Sequence, residues 1–288
     1  MPNQYSILDR HRRENQYVFL NSGQVPGIQS VTFENDFGSV PVTFLGLNYV
    51  NLAPNQAQEG RIRIDRLIID GTDHFKPFTG NSGFNLYILK DQRGPVDNYG
   101  FTSGYIFNYT TRCSIGQIPR SEIGIMSFGN LGRIPSGESN DTSGQFINIQ
   151  TSTESKNVKI PGPGSVSLTL NNDFTVNRLL AYEVNINIDR KAIYPLGDRY
   201  PVSIQTVYPI DINANFTFNL SDYSGYTIRD FPGNPKTGHL ILNVNNFYDD
   251  TLIQDFRFSG MTLVYESYNT DVDGNVTVNA RYRKLNTR

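Results

Sequence analysis

The sequence predicts an all-β protein, and three observations lead there. Asn supplies 31 of the 288 residues and Ala only 6, alongside 25 Gly, 17 Tyr, 18 Phe and no Trp. Ala and the straight-chain charged residues favour helices, whereas Asn, Gly, Thr, Tyr and Phe suit turns and pleated surfaces. Along most of the chain apolar and polar residues alternate, which is the period of strands with one buried face. The alternating segments fall into two similar sets, dividing the chain into an arm at 1–22, a β-domain at 23–133, a linker at 134–165 and a second β-domain at 166–288.

The elements follow in order. After the polar arm, IQSVTFEN (28–35) and VPVTFLGLNYV (40–50) read as strands through their Val, Thr, Phe and Tyr. NLAPNQAQEG (51–60), with Pro54 and Gly60, reads as a protruding loop. RIRIDRLIID (61–70) alternates, with Ile62, Ile64 and Leu67 expected on one face and Arg61, Arg63 and Asp65 on the other. FNLYILK (84–90), GYIFNYTTRCSIG (104–116) and SEIGIMSFGNL (121–131) complete the first set. Residues 132–164 are rich in Ser, Thr, Pro, Gly and Asn and bury too little to fold alone, though FINIQ (146–150) has the pattern of an edge strand. NRLLAYEVNINIDR (177–190), YPVSIQTVYPIDINANFTFNL (200–220), HLILNVNNF (239–247), FRFSGMTLVYES (256–267) and NVTVNARYRKL (275–285) form the second set. Only FLNSG, TLIQDF and the arm hint at helical turns.

The two sets align. Phe84, Leu86 and Ile88 match Leu240, Leu242 and Val244; at the same spacing Ser103, Gly104, Phe107 and Tyr109 match Ser259, Gly260, Leu263 and Tyr265. Two residues shorter, Met126, Phe128 and Leu131 match Ala280, Tyr282 and Leu285. A unit of about 110 residues is too long for a solenoid repeat and fits one small β-domain, so a tandem duplication is expected. Duplicated domains often stand in for two subunits of a symmetric ring, and three chains then make a pseudo-sixfold wall.

Charge and motifs exclude several function classes. A net charge of −2 gives no global basic field for nucleic acid. No apolar run reaches the roughly 18 residues of a membrane span, and the start lacks the apolar core of a signal peptide, so synthesis and assembly in a cytoplasm are expected. Cys113, the single cysteine, reads as a buried structural thiol. His11, His74 and His239 lie at no ligand spacing, and DVDGN (271–275) lacks the Glu that closes a calcium loop; Asp273-Gly274 reads instead as a type I′ hairpin turn. The sequons at Asn108, Asn140, Asn215, Asn219 and Asn275 read as chance in so Asn-rich a chain. Neighbouring carboxylates such as Asp249-Asp250, or Asp70 and Asp73, do not define a glycosidase, and no GxSxG, phosphate loop or HExxH occurs. Neither an enzyme nor a cofactor is expected, and no metal.

FTSGYIFNYTTRCSIGQIPRSEIGIMSFGNL (101–131) resembles the tail-tube and related virion structural proteins of tailed bacteriophages, in which a tyrosine-rich strand precedes a "vGqiP" step. RFSGMTLVYESYNTDVDGNVTVNARYRKL (257–285) is similar to the closing hairpin of those proteins, and RYPVSIQTVYPIDINANFTF (199–218) to the strands before it. The resemblance implies two tube-like β-barrel or sandwich domains whose sheets join across subunits, and no catalytic residues. It implies a chain that assembles with itself and with other tail proteins into stacked rings of a virion tail, through which DNA passes without specific binding. Tail-tip or hub rings, and a capsid-decoration or glycan-binding β-sandwich, are the alternatives. The interface is expected on one face of the strands around Arg61–Asp70 and Tyr200–Leu220, with Arg61, Arg63, Asp65, Tyr200 and Gln205 named. Arg12, Arg13, Asn55, Gln56 and Gln58, on the arm and loop, are expected at contacts between rings together with the linker.

Overall fold

A computed structural model describes residues 16–21, 23–36, 39–43, 50–54, 59–69, 71–90, 98–129, 131–134, 159–162, 164–170, 174–176, 179–196, 200–219, 237–270 and 276–287. Its strands are β1 (Gln16–Leu20), β2 (Gly23–Gln24), β3 (Ile28–Asp36), β4 (Ser39–Thr43), β5 (Val50–Pro54), β6 (Glu59–Leu67), β7 (Phe84–Lys90), β8 (Asn98–Ser114), β9 (Arg120–Ser127) and β10 (Leu131–Ile134). They continue as β11 (Val166–Leu170), β12 (Phe174–Val176), β13 (Leu179–Ile193), β14 (Ser203–Asn219), β15 (Thr237–Asn245), β16 (Leu252–Thr270) and β17 (Val276–Asn286). The described residues hold one 3₁₀ turn, Lys76–Thr79, and no helix long and apolar enough to cross a membrane.

The all-β expectation is met, with differences in detail. Leu20 and Thr251–Phe256 belong to or border strands, not helical turns, and part of the expected loop 51–60 is strand β5, paired with β4 as a hairpin. Gln16–Leu20, the end of the expected arm, pairs with β7. FINIQ, the Asp273-Gly274 turn and residues 135–158 of the linker lie outside the described residues.

Fifteen strands share one antiparallel hydrogen-bonded sheet, and it is not closed into a barrel. The expected pair of separate barrels is replaced by a broad layer in the order β3-β6-β9-β8-β13-β14-β17-β16. Smaller sheets, β2-β1-β7 and β12-β11-β15, continue from the N-terminal halves of β8 and β16. These two long strands therefore serve both layers, and each is bulged against its smaller-sheet partner around a left-handed residue, Ser103 (φ 54°) in β8 and Gly260 (φ 70°) in β16. Ser103 carries the strain that Gly260 avoids. Beside it, Gly104 has no room for a side chain, since a Cβ would stand 2.1 Å from the Phe101 ring.

The pairings of the first four layer strands recur in the last four. Ile28↔Arg66 and Asp36↔Glu59 bound the β3–β6 ladder, while Leu179↔Phe218 and Asn187↔Asp211 are their counterparts in β13–β14. Gly60↔Ser127 and Leu67↔Arg120 in β6–β9 answer to Ile212↔Lys284 and Asn219↔Thr277 in β14–β17. The bulges recur too: Ile28/Ser30 with Leu179/Ala181, and Ile106/Asn108 with Leu263/Tyr265. This register pairs Ile123 and Ile125 with Ala280 and Tyr282 by position, three residues away from the alignment read from sequence.

Inward residues form one core, with Ile62, Ile64, Ile123, Ile125, Val184, Phe216 and Val278 from the layer against Leu86, Phe101, Leu168, Leu242 and Phe256 from the smaller sheets. Strict alternation continues through β6, so Arg66, not Leu67, takes the inward place after Ile64. Its guanidinium is held by Pro26 O through Nε (3.0 Å) and Thr72 O through Nη2 (3.0 Å). A polar network crosses the core between the halves. Gln254 Oε1 accepts from the Tyr182 hydroxyl (2.5 Å), and its Nε2 donates to Asp73 Oδ2 (3.0 Å) and Thr111 Oγ1 (3.1 Å). Tyr109 also donates to Asp73, and burial raises the pKa of both Tyr109 and Tyr182 well above the ordinary tyrosine value.

Gln254→Leu leaves the Tyr182 hydroxyl and an Asp73 oxygen buried without that partner, so a loss of about 2–4 kcal/mol is expected. Tyr182→Phe removes one donor only, for about 1 kcal/mol. Urea midpoints at unchanged slope measure both.

Candidate functional site

Alternation gives the eight-stranded layer a second, outward face, and the sequence places carboxamides and paired charges on it. In β13 the outward positions are Glu183, Asn185 and Asn187, between the buried Tyr182, Val184, Ile186 and Ile188. In β14 they are Asp211, Asn213, Asn215 and Thr217, between Ile212, Ala214, Phe216 and Phe218.

Where β8 meets β13, four outward side chains close a hydrogen-bonded cycle. Asn108 Nδ2 donates to Asn187 Oδ1 (2.6 Å), Asn187 Nδ2 to Asn185 Oδ1 (2.7 Å), Asn185 Nδ2 to Thr110 Oγ1 (2.6 Å), and Thr110 Oγ1 to Asn108 Oδ1 (3.4 Å). The cycle sits over a backbone ladder running from Ala181↔Ser114 to Asn187↔Asn108, the joint between the two halves.

Three arginines on this face pair with carboxylates. Arg112 bonds Glu122, Arg120 forks onto Asp65, and Arg283 forks onto Asp211 through Nε (2.9 Å) and Nη2 (3.1 Å). Arg281 donates to Asn215 Oδ1 (2.9 Å), and Asn215 donates to Glu183 (3.3 Å). The Arg283 bond holds the Asp211 carboxyl below its ordinary pKa, and the same bond raises that of Arg283. An open cleft of about 650 Å³ lies at one end of the face, lined among others by Arg112, Cys113, Gln117, Arg120, Tyr182 and Glu183. Burial pushes the Cys113 thiol up to about 12, so it is protonated and a poor nucleophile at neutral pH. Among the described residues no group of three or more His, Cys, Asp or Glu side chains is placed to hold a metal ion.

The residues named from sequence are scattered. Arg61 and Arg63 stand exposed on the outward face of β6, with Asp65 beside Arg120. β6 and residues 210–219 of β14 have partners on both sides and cannot accept a new strand. Tyr200 and Gln205 lie on an exposed ribbon where β13 and β14 run on past β8 and β17, paired only with each other from Asp189↔Val207 outward. Ile193, Tyr194, Leu196 and Val202 make that ribbon apolar. Arg190 pins its base, donating to Ile106 O (3.0 Å) and Thr206 Oγ1 (2.6 Å). Arg12, Arg13, Asn55, Gln56 and Gln58 lie outside the described residues.

The layer ends on two strands with one partner each. Among the described residues β3 pairs only with β6, and residues 263–270 of β16 pair only with β17. The sequence reading missed both edges and the amide cycle; the outward Asn of FNYT and NINID carried the signal for the cycle. No protein-family model matches the chain, and no curated protein matches it.

Asp211 tests the charge pairing. Its folded pKa is depressed, so the stability it contributes is fully present above its unfolded pKa of about 3.9 and is lost as pH falls through the lower folded value. The stability gap between wild type and Asp211→Asn is expected to be constant from neutral pH down to about pH 5 and to close below about pH 4, read by urea unfolding across pH.

Proposed function

We propose that this chain is a structural protein of a bacteriophage tail that self-assembles into stacked rings forming the tube through which DNA passes. The observation that carries the reading is the layer itself: two four-strand sets with matching register lie side by side, and the series ends in two half-paired edges. A tandem duplication accounts for the recurrence, with a linker between the copies. Edge strands are templates for further strands, and a head-to-tail contact repeated with rotation closes into a ring. Three copies would make a pseudo-sixfold wall of twenty-four strands, on the order of 50 Å across between backbones at ordinary strand spacing and tilt.

The outward polar face would line the lumen. Affinity for DNA comes from cations that neutralise phosphates. Here Arg112, Arg120 and Arg283 are each already engaged by a carboxylate and the amide cycle is uncharged, which leaves Arg61 and Arg63 as the exposed cations of β6. Such a lining wets the wall without holding the polymer. The β13–β14 ribbon, the hairpin β4–β5, the linker and the N-terminal arm are the contacts offered to the next ring or to other tail proteins. In this reading the protein resides in the virion tail after assembly in the host cytoplasm, and it is not an enzyme.

A second reading, a receptor- or glycan-binding module, draws on one feature. Phe247 and Tyr248 stand exposed on the β15–β16 turn, which Asp249 braces by accepting from Asn246 Nδ2 (2.7 Å), Thr251 N (3.1 Å) and Thr251 Oγ1 (2.7 Å). Those hydrogen bonds lower the Asp249 pKa to about 2.

Negative-stain microscopy of the purified chain at rising concentration separates the readings: rings or tubes are expected, and uniform monomers with glycan-array binding would favour the second. The lumen lining has its own test. The triple variant Asp65→Asn, Glu122→Gln, Asp211→Asn frees three arginines, so duplex DNA binding should appear with a log–log salt slope of up to about −3. Fluorescence anisotropy reads it, and wild type should show no such binding; a steep salt-dependent affinity in wild type would overturn the sliding surface.

A further inference from the structure

We infer that β3 of one copy adds to the C-terminal half of β16 in a second copy, in antiparallel register, as β13 adds to β8 within the chain. The inference rests on the assembly reading and gives it a defined interface. The chain itself supplies the template. β13 occupies the edge of β8 just beyond the point where β7 leaves it, from Asn108 to Ser114. By the recurring ladders, β3 is the counterpart of β13, and β16 that of β8. On β16 the strand β15 leaves at Thr262, and the edge beyond it has no partner among the described residues.

Transferring the internal rungs gives the intermolecular ones. Tyr182↔Cys113 becomes Val31↔Thr270, Val184↔Thr111 becomes Phe33↔Tyr268, and Asn187↔Asn108 becomes Asp36↔Tyr265. Thr32 then faces Asn269, Glu34 faces Ser267, and Asn35 faces Glu266.

Three observations fit this register. Val184 and Tyr182 are buried at 0% and 3% exposure, whereas their counterparts Phe33 and Val31 are only half-buried. A strand laid alongside closes that difference, and Phe33 against Tyr268 is a favourable cross-strand aromatic pair. On the outward face, Glu34 takes the place of Asn185 and Ser267 that of Thr110, so a hydroxyl donor meets a carboxylate where the internal joint has an amide and a hydroxyl. On the inward face, Glu266 Oε1 is buried without a hydrogen-bond partner. A buried carboxylate oxygen is costly until a donor reaches it, and this register lays a second strand along that edge.

The test is a cysteine pair at an outward rung. Thr32→Cys with Asn269→Cys, both exposed positions, should give intermolecular disulfides on mild oxidation, producing a covalent ladder that stops at the closed ring. Thr32→Cys alone, which keeps the buried Cys113, should give none beyond a trace. A pair displaced by four residues, Thr32→Cys with Tyr265→Cys, should cross-link at least tenfold less. Microscopy of the same samples separates the outcomes. Rings without the 32–269 cross-link, or with the displaced pair favoured, overturn this register and leave the assembly reading standing; absence of rings and of cross-links overturns both.

Discussion

A strand edge presents a row of N–H and C=O groups that only water or another strand can satisfy, and the ladder between β8 and β13 is where this chain meets that demand internally. Most of the architecture follows from it. Without that ladder the protein would be two four-strand sets, each exposing two edges. With it, two edges are consumed and the inward faces of both sets become one surface, over which a single buried cluster extends. The buried network of Asp73, Tyr109, Thr111, Tyr182 and Gln254 straddles the same joint from the core side, while the amide cycle straddles it from the outward side. Both faces of the joint are thus tied by directional bonds. Hydrogen-bond geometry is less forgiving of sliding than apolar contact, so these bonds fix the register of one half against the other.

That arrangement accounts for the unusual composition. An outward strand position needs a side chain that tolerates water, bonds across to a neighbouring strand and adds no charge. Asn has donor and acceptor on one short stem, although its intrinsic strand preference is low. The cost is offset where the amide finds cross-strand partners, as Asn108, Asn185, Asn187 and Asn215 do. Three arginines on this face spend their charge on carboxylates in adjacent strands, as in Arg120 with Asp65 and Arg283 with Asp211. These exposed pairs add little stability each. Their larger effect is electrostatic, since they cancel the field that isolated guanidinium groups would project from the wall.

Much of the fold was legible because alternation is local. IQSVTFEN, RIRIDRL, FNLYILK and the second set of strands are where the pattern puts them. The failures have specific causes. Arg66 defeated a hydropathy reading because its inward place is set by parity, and only the carbonyls of Pro26 and Thr72, distant in sequence, make a guanidinium acceptable there. The ladder registers pair Ile123 and Ile125 with Ala280 and Tyr282, three positions from the match made by residue type, because alternating strands align by residue type at more than one offset. β1, β2, β11 and β12 are too short to show a period and exist through their pairing. The candidate site was the least legible part. Sequence placed the interface on one face of the strands around Arg61–Asp70 and Tyr200–Leu220, and alternation alone does not tell a strand with two partners, such as β6, from one with a single partner. The edges are β3 and β16.

The two kinds of strand differ physically. A mid-sheet strand has partners on both sides and one buried face, so its pattern is pinned at every position. In the assembly proposed above, an edge strand would meet different surroundings before and after pairing, and its residues would have to serve both. Val31 and Phe33 are apolar enough to enter a core but tolerable half-exposed, and Thr32 and Glu34 keep the other face soluble. The edge of β16 is similar, with Tyr265 and Tyr268 carrying a hydroxyl on an apolar ring. A carboxylate such as Glu266 on the inward row is a further safeguard, because an inward-pointing charge at an edge disfavours pairing with any strand that brings it no donor. The same feature that leaves one buried oxygen unsatisfied in a lone chain therefore makes the edge selective among partners. A joint copied from the interior of the sheet can supply that selectivity with no surface beyond what the fold already contains.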